Sequence, residues 1–284
     1  MVKKFTTQKK GLLIYPKLFS NQEGDNINGP SLIKVPKWIK SPLGKYYLYF
    51  SHHNGKYIRM AYSEKIIGPY KIYREGVFNL KNSPGRHHIA SPDVHVDLKR
   101  KIITMYYHTC FKKNQYTLES TSNDGISFNS NEISLGSYYF RVFIFKNQIY
   151  SIAKGLNNYG KIYKKINNEW IVIYEKLIKN IRHTAVLVED GIIYLFYSLI
   201  GELQESIYCA TLDINNFKIT NRYKLLKPTL KYEGINFIKK KSKIGMEKRY
   251  VNQVRDPGIY INKYDKYLLY SVSGEKGIAI AKLI

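Results

Sequence analysis

Cysteine is almost absent from this 284-residue chain, and so is any long apolar run. The two cysteines, Cys110 and Cys209, lie in apolar stretches without the spacing typical of a metal site or a disulfide framework, so we interpret them as buried thiols of a reducing compartment. No run approaches the roughly 18 apolar residues of a membrane span. Residues 11–15 are too short for the apolar region of a signal peptide, and Lys17 follows at once. The sequence therefore predicts a cytoplasmic protein without a membrane span.

Acidic residues are scarce as well, since 21 Asp and Glu stand against 46 Lys and Arg, for a formal net charge of +25. Such a balance favours anionic partners, among them nucleic acid, acidic polysaccharide and membrane surfaces. The excess is mostly lysine in turns and at strand edges, where it also hinders edge pairing, and the densest basic run, residues 239–243, is short. Because no stacking or helix-in-groove motif accompanies the charge, no nucleic-acid partner is predicted. Attraction to an anionic surface and a general compositional bias both stay open.

Helical periodicity is nearly absent, and a repeated strand pattern takes its place. The chain is 44% apolar and 14% aromatic, with 27 tyrosines, so it is rich in residues that form strands and a folded core. A short alternating strand, a turn and a second, more apolar strand recur five times. The copies are VRDPGIYINKYDKYLLYSVSG, NGPSLIKV before KYYLYFS, ASPDVHVD before KIITMYYHT and, more weakly, YFRVFIF before QIYSIAKG and RHTAVLVE before IIYLFYSL.

The repeat unit is a four-stranded antiparallel sheet, because further strand candidates follow each copy, as residues 116–120 and 126–129 do in the second unit. Units of about 40 to 70 residues built in this way are typical of a β-propeller. The fifth unit ends one strand short, and the candidate strand at residues 11–15 fills that place, which removes the exposed sheet edges. We therefore predict one all-β domain, residues 1–284. It is a five-bladed β-propeller with blades at residues 28–78, 88–134, 138–177, 182–226 and 254–284 plus 10–16.

The openings of the five inner strands form the candidate site, because in a propeller they meet at one mouth of the central channel. Two carboxylates, three guanidinium groups and an imidazole would converge there. Each of these side chains, considered alone, has a purely structural explanation. Asp93 and Asp256, for example, would accept hydrogen bonds from loop N–H groups beside their prolines. Their equivalent positions across blades favour a shared pocket. The residues of this pocket are Asn28, Asp93, Arg141, Arg182, His183, Arg255 and Asp256.

The chain resembles the five-bladed propeller glycosidases of glycoside hydrolase family 43, the arabinanase and xylosidase group, with its invertase-like and anhydrogalactosidase relatives. The resemblance is carried by three motifs: SPDV (residues 91–94) before KIITMYY, DP (residues 256–257) before KYLLYS, and AYS (residues 61–63) followed by GPY (residues 68–70). In that family a blade-one Asp before Pro is the general base, an Asp in the second blade tunes the pKa of the acid, and a Glu opening the third blade is the general acid. Asp93 matches the second position. Gly29 stands where the family has its general base, and Phe140-Arg141 stand where it has its general acid. The family's catalytic triad is therefore incomplete.

The resemblance implies an enzyme acting on an acidic or unusual saccharide, with Asp93, Asp256 and Glu233 as its catalytic candidates. Asp256 is a candidate base. Glu233, on the long loop before the fifth blade, is the first candidate for the acid, followed by Glu205 and His183. Inverting hydrolysis would hold acid and base about 6.5–9.5 Å apart. The arginines would tune these groups or clamp an anionic sugar substituent, and His52 is a further candidate for substrate contact.

Two other functions stay open at the level of the sequence. Glycosyl transfer or phosphorolysis on the same fold is favoured by the arginine-rich mouth and the incomplete triad, and glycan binding without catalysis would follow if the acid were lost. No cofactor is predicted. Calcium lies on the channel axis in several members of the family, but no carboxylate cluster in this sequence demands it. The sequence gives no oligomeric state.

Overall fold

The chain is a five-bladed β-propeller, as the repeats predicted. A computed structural model describes residues 2–20, 22–112 and 114–284, and within them five antiparallel sheets follow one another along the chain. The first strands of neighbouring sheets contact one another in the middle of the molecule, while the later strands lie outward. The inner strands therefore line a central axis, which is the arrangement that brings their openings together.

Each sheet, called a blade here, takes its strands consecutively, and three-residue to four-residue 3₁₀ turns lie at Pro16–Leu18, Gln22–Asp25, Leu80–Asn82 and Lys231–Glu233. Blade I contains β2 (Asn28–Lys34), β3 (Tyr46–Ser51), β4 (Tyr57–Ser63) and β5 (Lys71–Asn79). Blade II contains β6 (Arg86–Asp97), β7 (Ile102–Phe111) and β8 (Asn114–Ser122), with the short β9 (Asn129–Ser130) and β10 (Gly136–Ser137). Blade III contains β11 (Arg141–Phe145), β12 (Gln148–Lys154), β13 (Gly160–Ile166) and β14 (Glu169–Tyr174). Blade IV contains β15 (Ile181–Glu189), β16 (Ile192–Leu199), β17 (Ile207–Asp213) and β18 (Lys218–Leu226). Blade V contains β19 (Val254–Asn262), β20 (Asp265–Val272), β21 (Ile278–Leu283) and the N-terminal β1 (Thr7–Ile14).

The N-terminal strand closes the ring, as predicted. β1 pairs antiparallel with β21, from Thr7 opposite Leu283 to Ile14 opposite Ile278. The strand begins four residues before the predicted residue 11. Its first half escaped notice because it is polar and its side chains alternate between half-buried and exposed. Ring closure therefore joins the two ends of the chain within one sheet.

The outer edge of blade II differs from the prediction. A fourth strand was expected at residues 126–129, but pairing there begins only at Asn129. The carboxylate of Asp124 accepts hydrogen bonds at 2.8 Å from the N–H groups of both Ile126 and Ser127. These bonds hold the segment in a turn, so the predicted strand was wrong for most of its length.

The hydrophobic core is divided into clusters that fill the gaps between neighbouring blades. The gap between blades IV and V, for example, buries Leu187 and Phe196 against Leu268 and Tyr270. The gap between blades II and III holds the smallest cluster among the described residues, four buried side chains that include Tyr106 and Phe140. Burial of apolar surface contributes about 25 cal/mol per Å², so these clusters hold the blades in a fixed ring.

Every inner strand carries a bulge near its start, where two residues stand opposite one. The bulged pairs are Gly29-Pro30, Ser91-Pro92, Tyr139-Phe140, Arg182-His183 and Asp256-Pro257. In four of them the first residue has a positive φ: 62° at Gly29, 53° at Ser91, 67° at Tyr139 and 52° at Asp256. A bulge turns a side chain away from the ordinary alternation of a strand. The equivalent positions in the five blades are therefore directed towards one place.

Both cysteines are free thiols. Cys209 is buried, as predicted, whereas Cys110 is partly exposed, with its Sγ 3.7 Å from His88 Nδ1. Among the described residues, no helix is long and apolar enough to cross a membrane.

Candidate active site

The bulges surround a small cavity at the channel opening, which we call the mouth cavity. Four of its residues were predicted from the sequence, namely Asn28, Arg182, His183 and Asp256. The others come from bulges, second strands and turns. These additional residues are His53, Ala90, Ser91, His108, Tyr139 and Glu275.

Of the three predicted catalytic residues, Asp256 alone lines the mouth cavity. Its side chain is almost fully buried, and one carboxyl oxygen, Oδ1, lies 3.1 Å from His183 Nδ1. Burial raises the pKa of Asp256 to about 7, with a further contribution from the nearby negative charge of Glu275. A carboxyl with this pKa is partly protonated near neutral pH, so Asp256 is suited to donate a proton as well as to act as the base predicted from the sequence.

A network of buried charges supports the floor of the cavity. Oε1 of Glu205 accepts hydrogen bonds from Arg182 Nε and Ser198 Oγ, both at 2.7 Å. Arg255 lies between two carboxylates, with Nη2 3.4 Å from Glu205 Oε2 and Nη1 3.2 Å from Glu275 Oε1. Burial alone would raise the pKa of Glu205, but the two guanidinium groups hold it below its usual value. Arg255 and Glu205 thus lie behind the cavity wall and position the residues that form it.

Glu275 is the second carboxylate of the mouth cavity, and it is tied to blade I. Asn26 donates a hydrogen bond to Glu275 Oε2, and Asn28 Nδ2 lies 3.4 Å from the same oxygen. The amide oxygen of Asn28 accepts a hydrogen bond from Ser51 Oγ at 2.8 Å. His53 Nδ1 is 3.8 Å from Glu275 Oε1, and burial lowers the pKa of this imidazole. The carboxylate is therefore held in place from both sides of the gap between blades V and I.

Two histidines of the cavity have polar atoms without a partner. Among the described residues, neither His108 Nδ1 nor His183 Nδ1 makes a hydrogen bond, because the contact of His183 with Asp256 is poorly aligned. Burial lowers the pKa of both imidazoles well below the usual value, so both are neutral. The ring of Tyr139 packs between them, with its centroid 3.9 Å from that of His183 and 4.6 Å from that of His108. Buried polar atoms without partners are uncommon in proteins and indicate a place for a ligand or ordered water.

Lys154 adds a buried cation beside the cavity. Its charge acts on His53 and His183, and burial, together with the positive charge of Arg182, lowers its pKa to about 8. Among the described residues, its ammonium group has no hydrogen bond or ion pair. An ammonium group beside the cavity that has no ion-pair partner is suited to meet an anionic group.

Asp93 and Arg141 line a second cavity of about 70 Å³, deeper on the axis, which we call the axial cavity. Asp93 lies two residues past the bulge residue that is equivalent to Asp256, so the two carboxylates are not at one level. Oδ2 of Asp93 accepts hydrogen bonds of 2.8 Å from His95 Nε2 and from the Val142 N–H. Although burial opposes it, His95 and Arg141 hold the pKa of Asp93 below its usual value.

The axial cavity does not fit the calcium ion considered from the sequence. Asp93 is its one carboxylate, and the guanidinium group of Arg141 shares the same space. Across the described residues, no group of three or more His, Cys, Asp or Glu side chains is arranged to hold a metal ion. Calcium prefers six to eight oxygen ligands, several of them carboxylates, so no metal enters the chemistry proposed below.

His52 and Glu233 lie outside the mouth cavity. His52 Nδ1 accepts a hydrogen bond of 3.1 Å from the Asn54 N–H in the turn after β3, while its neighbour His53 reaches the cavity. Glu233 is fully buried, and its carboxylate accepts hydrogen bonds from the N–H groups of Thr229 and Leu230 at 2.8 and 3.0 Å. Tyr270 and Lys9 bind the same carboxylate. Glu233 thus joins the loop before β19 to the closing strand β1, and the chemistry proposed below does not use it.

Glu233→Gln is expected to lower the free energy of unfolding by about 1–3 kcal/mol, because an amide cannot accept all of these hydrogen bonds. Ligand affinity at the mouth cavity should not change. Urea denaturation and ligand titration of the variant measure the two quantities.

Lys9→Met should remove the same ion pair between Lys9 and Glu233. The variant that carries both Lys9→Met and Glu233→Gln should therefore lose less stability than the sum of the two single losses. Glu64→Gln, at an exposed pair with Lys45, is the matched control. A large loss of ligand affinity in Glu233→Gln would contradict the structural role.

Sequence reasoning missed Glu275, His108, Tyr139 and Lys154, although one signal was available. The apolar run of every second strand ends in a polar residue. These residues are Ser51, His108, Lys154, Ser198 and Ser271. Because second strands run antiparallel to the inner strands, their ends lie at the level of the inner-strand openings. Glu275 gave no such signal, since it belongs to the turn between β20 and β21.

No protein-family model matches the chain. It is 30% identical over 297 residues to the uncharacterized protein R118 of Acanthamoeba polyphaga mimivirus, an alignment that covers 91% of this chain and 83% of that protein. Among solved structures, a glycosyl hydrolase from Bacteroides ovatus is similar, with a TM-score of 0.68 and 11% identity over 90% of this chain and 83% of that one.

Two further solved structures have the same fold. One belongs to family 130, described as mannoside phosphorylases that include hydrolases of β-1,2 mannosidic linkages in Candida mannan; it has a TM-score of 0.67 and 11% identity over 90% of this chain and 84% of that one. The other is a family-43 β-xylosidase/α-arabinofuranosidase from a compost metagenome, solved with xylotriose, with a TM-score of 0.64 and 13% identity over 98% of this chain and 93% of that one. The resemblance to family 43 is confirmed at the level of the fold.

Proposed function

We propose that this chain, which belongs to the same family as protein R118 of Acanthamoeba polyphaga mimivirus, cleaves glycosidic bonds at its mouth cavity. The observation that carries the proposal is the buried carboxyl of Asp256, whose pKa is raised to about 7 and which lies in a cavity lined by imidazoles and a second carboxylate. Cleavage of a glycosidic bond needs a proton on the leaving oxygen, and a carboxyl whose pKa is raised by burial supplies it near neutral pH. The fold shared with propeller glycosidases supports a saccharide as the substrate.

In the proposed reaction Asp256 donates its proton to the glycosidic oxygen as the bond from that oxygen to the anomeric carbon breaks. A water molecule attacks the anomeric carbon from the opposite face, which inverts its configuration. Glu275 is the candidate to accept the proton of that water, since Arg255 and Asn28 hold its carboxylate at the same cavity. His108 offers its ring nitrogen Nδ1 to a sugar hydroxyl group, while His183 Nδ1 lies 3.1 Å from Oδ1 of the proton donor Asp256. Asp93 acts indirectly, by fixing the start of blade III through the N–H of Val142.

Phosphorolysis is the second candidate, and Lys154 favours it. Phosphate would replace water as the attacking group, and a phosphate dianion needs cations that are free to bind it. Lys154 has no partner of its own among the described residues, and Arg182 lies beside it at the cavity wall. The product would then be a sugar 1-phosphate in place of a free reducing sugar.

The test is an incubation of the purified protein with β-1,2-mannobiose, xylotriose and oligosaccharides that contain uronic acids, each with and without inorganic phosphate. Chromatography of the products separates reducing sugars from sugar 1-phosphates. Cleavage without phosphate is expected for the hydrolase. Two results together would establish the phosphorylase. Cleavage would require phosphate, and Lys154→Met would reduce it by about tenfold or more, because a charge-assisted contact with phosphate is lost. Saccharide binding without consumption would leave a glycan-binding propeller and overturn both candidates.

A further inference from the structure

The longest connection outside the blades leads from β18 to β19, and its middle part exposes an unusual number of apolar side chains. We call residues 235–250 the mouth loop. Ile238 and Ile244 expose 59% and 63% of their surface, and three further large apolar residues of the loop are exposed as well. These are Ile235, Phe237 and Tyr250. A concentration of exposed large apolar side chains on a folded protein marks an interaction site.

The exposure does not come from a loosely attached backbone. The Asn252 N–H donates to the Ile238 carbonyl at 3.0 Å, and the Ser242 N–H donates to the Glu202 carbonyl at 2.9 Å. Arg182, a wall residue of the mouth cavity, donates from Nη2 to the Lys243 carbonyl at 2.7 Å. The loop is therefore fastened to blade IV and to the segment that leads into β19, at the channel opening. Its apolar side chains are exposed on a backbone that these bonds attach to the blades.

Positive charge accompanies the apolar side chains. The mouth loop contains six cationic residues, Lys239, Lys240, Lys241, Lys243, Lys248 and Arg249, against a single carboxylate. That carboxylate, Glu247, is buried and lies 3.1 Å from Lys240 Nζ. Five of the six cations are exposed. An anionic partner therefore meets a surface on which no acidic side chain opposes it.

We propose that the mouth loop docks onto an anionic lipid bilayer. Isoleucine side chains gain free energy when they leave water for the boundary between lipid headgroups and acyl chains, and neighbouring lysines gain from anionic headgroups. Contact with nucleic acid would give the isoleucines no comparable gain in free energy. Proteins that bind single-stranded nucleic acid independently of sequence stack its bases on aromatic side chains. The two aromatic rings of the loop, Phe237 and Tyr250, pack on each other with centroids 5.1 Å apart, which covers part of each face.

Docking in this way sets the orientation of the molecule. Because Arg182 joins the mouth loop to the mouth cavity, both lie at the same end of the channel. The bound protein presents its cavity towards the bilayer, where saccharides carried on lipids are within reach. This orientation does not depend on the reaction proposed above.

Co-sedimentation with vesicles tests the proposal directly. Wild-type protein should sediment with vesicles of phosphatidylcholine and phosphatidylserine, should stay in solution with phosphatidylcholine alone, and should be released by salt. The variant with Ile238→Asp and Ile244→Asp should lose about tenfold or more in partitioning, because both side chains leave the apolar boundary. Replacement of Lys239 or Lys241 by Ala should weaken binding by about fivefold each.

The matched control carries Ile133→Asp and Ile144→Asp, two isoleucines of equal exposure, 64% and 63%, outside the mouth loop. It should bind as the wild type does, and thermal unfolding should confirm that both paired variants are folded. The proposal is overturned if wild-type protein ignores phosphatidylserine vesicles, or if the control loses as much binding as the mouth-loop variant. Binding that depends on the lysines but not on the isoleucines would also overturn it, as plain charge attraction. A polynucleotide whose binding requires both isoleucines would assign the surface to nucleic acid.

Discussion

Asp256→Asn is expected to reduce saccharide cleavage by about 10²–10⁴-fold, because the amide has no proton to donate to the leaving oxygen. Rate measurements on the substrate that the incubation identifies give this value. Saccharide affinity should change little, since Asn fills the same space. The exposed carboxylate of Asp97, which pairs with Arg100 at the surface, offers a matched control in Asp97→Asn, which should leave the rate unchanged. Full activity of Asp256→Asn would remove Asp256 from the chemistry.

The pH dependence of the same variant provides an independent readout. The pKa of Asp256 is about 7 in the folded protein against an ordinary value of 3.8, so between these values the folded state binds the proton more tightly than the unfolded state. The stability that protonation contributes is complete below about pH 3.8 and is lost as the pH rises towards 7. Asp256→Asn should lack this loss and should therefore be more stable than the wild type above pH 7. The wild-type cleavage rate should also fall as the pH rises through 7. Parallel stability curves for the two proteins would contradict the raised pKa.

Arg255→Met is expected to lower the free energy of unfolding by about 3–5 kcal/mol, because it leaves Glu205 and Glu275 buried without their shared cation. Arg255 is 1% exposed, so water cannot take the place of the guanidinium group. Urea denaturation at neutral pH measures the loss. In a second variant, Glu275→Gln added to Arg255→Met should recover part of the stability, since Glu275 is then the carboxylate left without its guanidinium partner, whereas Glu205 still pairs with Arg182.

The matched control for Arg255 is Arg100→Met. Arg100 also binds a carboxylate, with its Nε 2.7 Å from Asp97 Oδ2, but its side chain is 67% exposed. Ion pairs in water contribute little to stability, so this variant should unfold at nearly the same urea concentration as the wild type. Equal effects at the two sites would show that the network behind the mouth cavity is not a buried charge cluster.

The sequence predicted the ring and the inner strands because both depend on local patterns. Three local signals specify a four-stranded sheet, even when nothing is known of the neighbouring blades. They are the alternation of apolar and polar residues, the turn residues, and the repeated Pro after a polar or small residue. The closing strand β1 was found for the same reason, although its polar first half was missed. The strand expected at residues 126–129 failed because hydrogen bonds from one side chain, Asp124, outweighed the apolar pattern.

The candidate site was harder to predict, since it depends on the third dimension. Asp93 and Asp256 occupy similar phrases in the sequence, yet the bulge places one in the axial cavity and the other in the mouth cavity. The partners of Glu233 include Lys9, which is 224 residues away along the chain. No local pattern encodes such a contact. Likewise, the raised pKa of Asp256 follows from burial and from Glu275, neither of which can be seen in the motif Arg-Asp-Pro.

A ring of blades opens most readily at its weakest joint, and in this molecule the joint lies between blades II and III. The packed cluster there is the smallest of those described. Two polar contacts cross it beside the bulges, from the Val142 N–H to Asp93 at 2.8 Å and from Arg141 Nη1 to the Ser91 carbonyl at 3.3 Å. Local opening begins where few apolar contacts resist it. Brief separation of these blades moves Ser91 away from Tyr139, two walls of the mouth cavity. Such breathing of the ring widens the entrance of the mouth cavity without any lid.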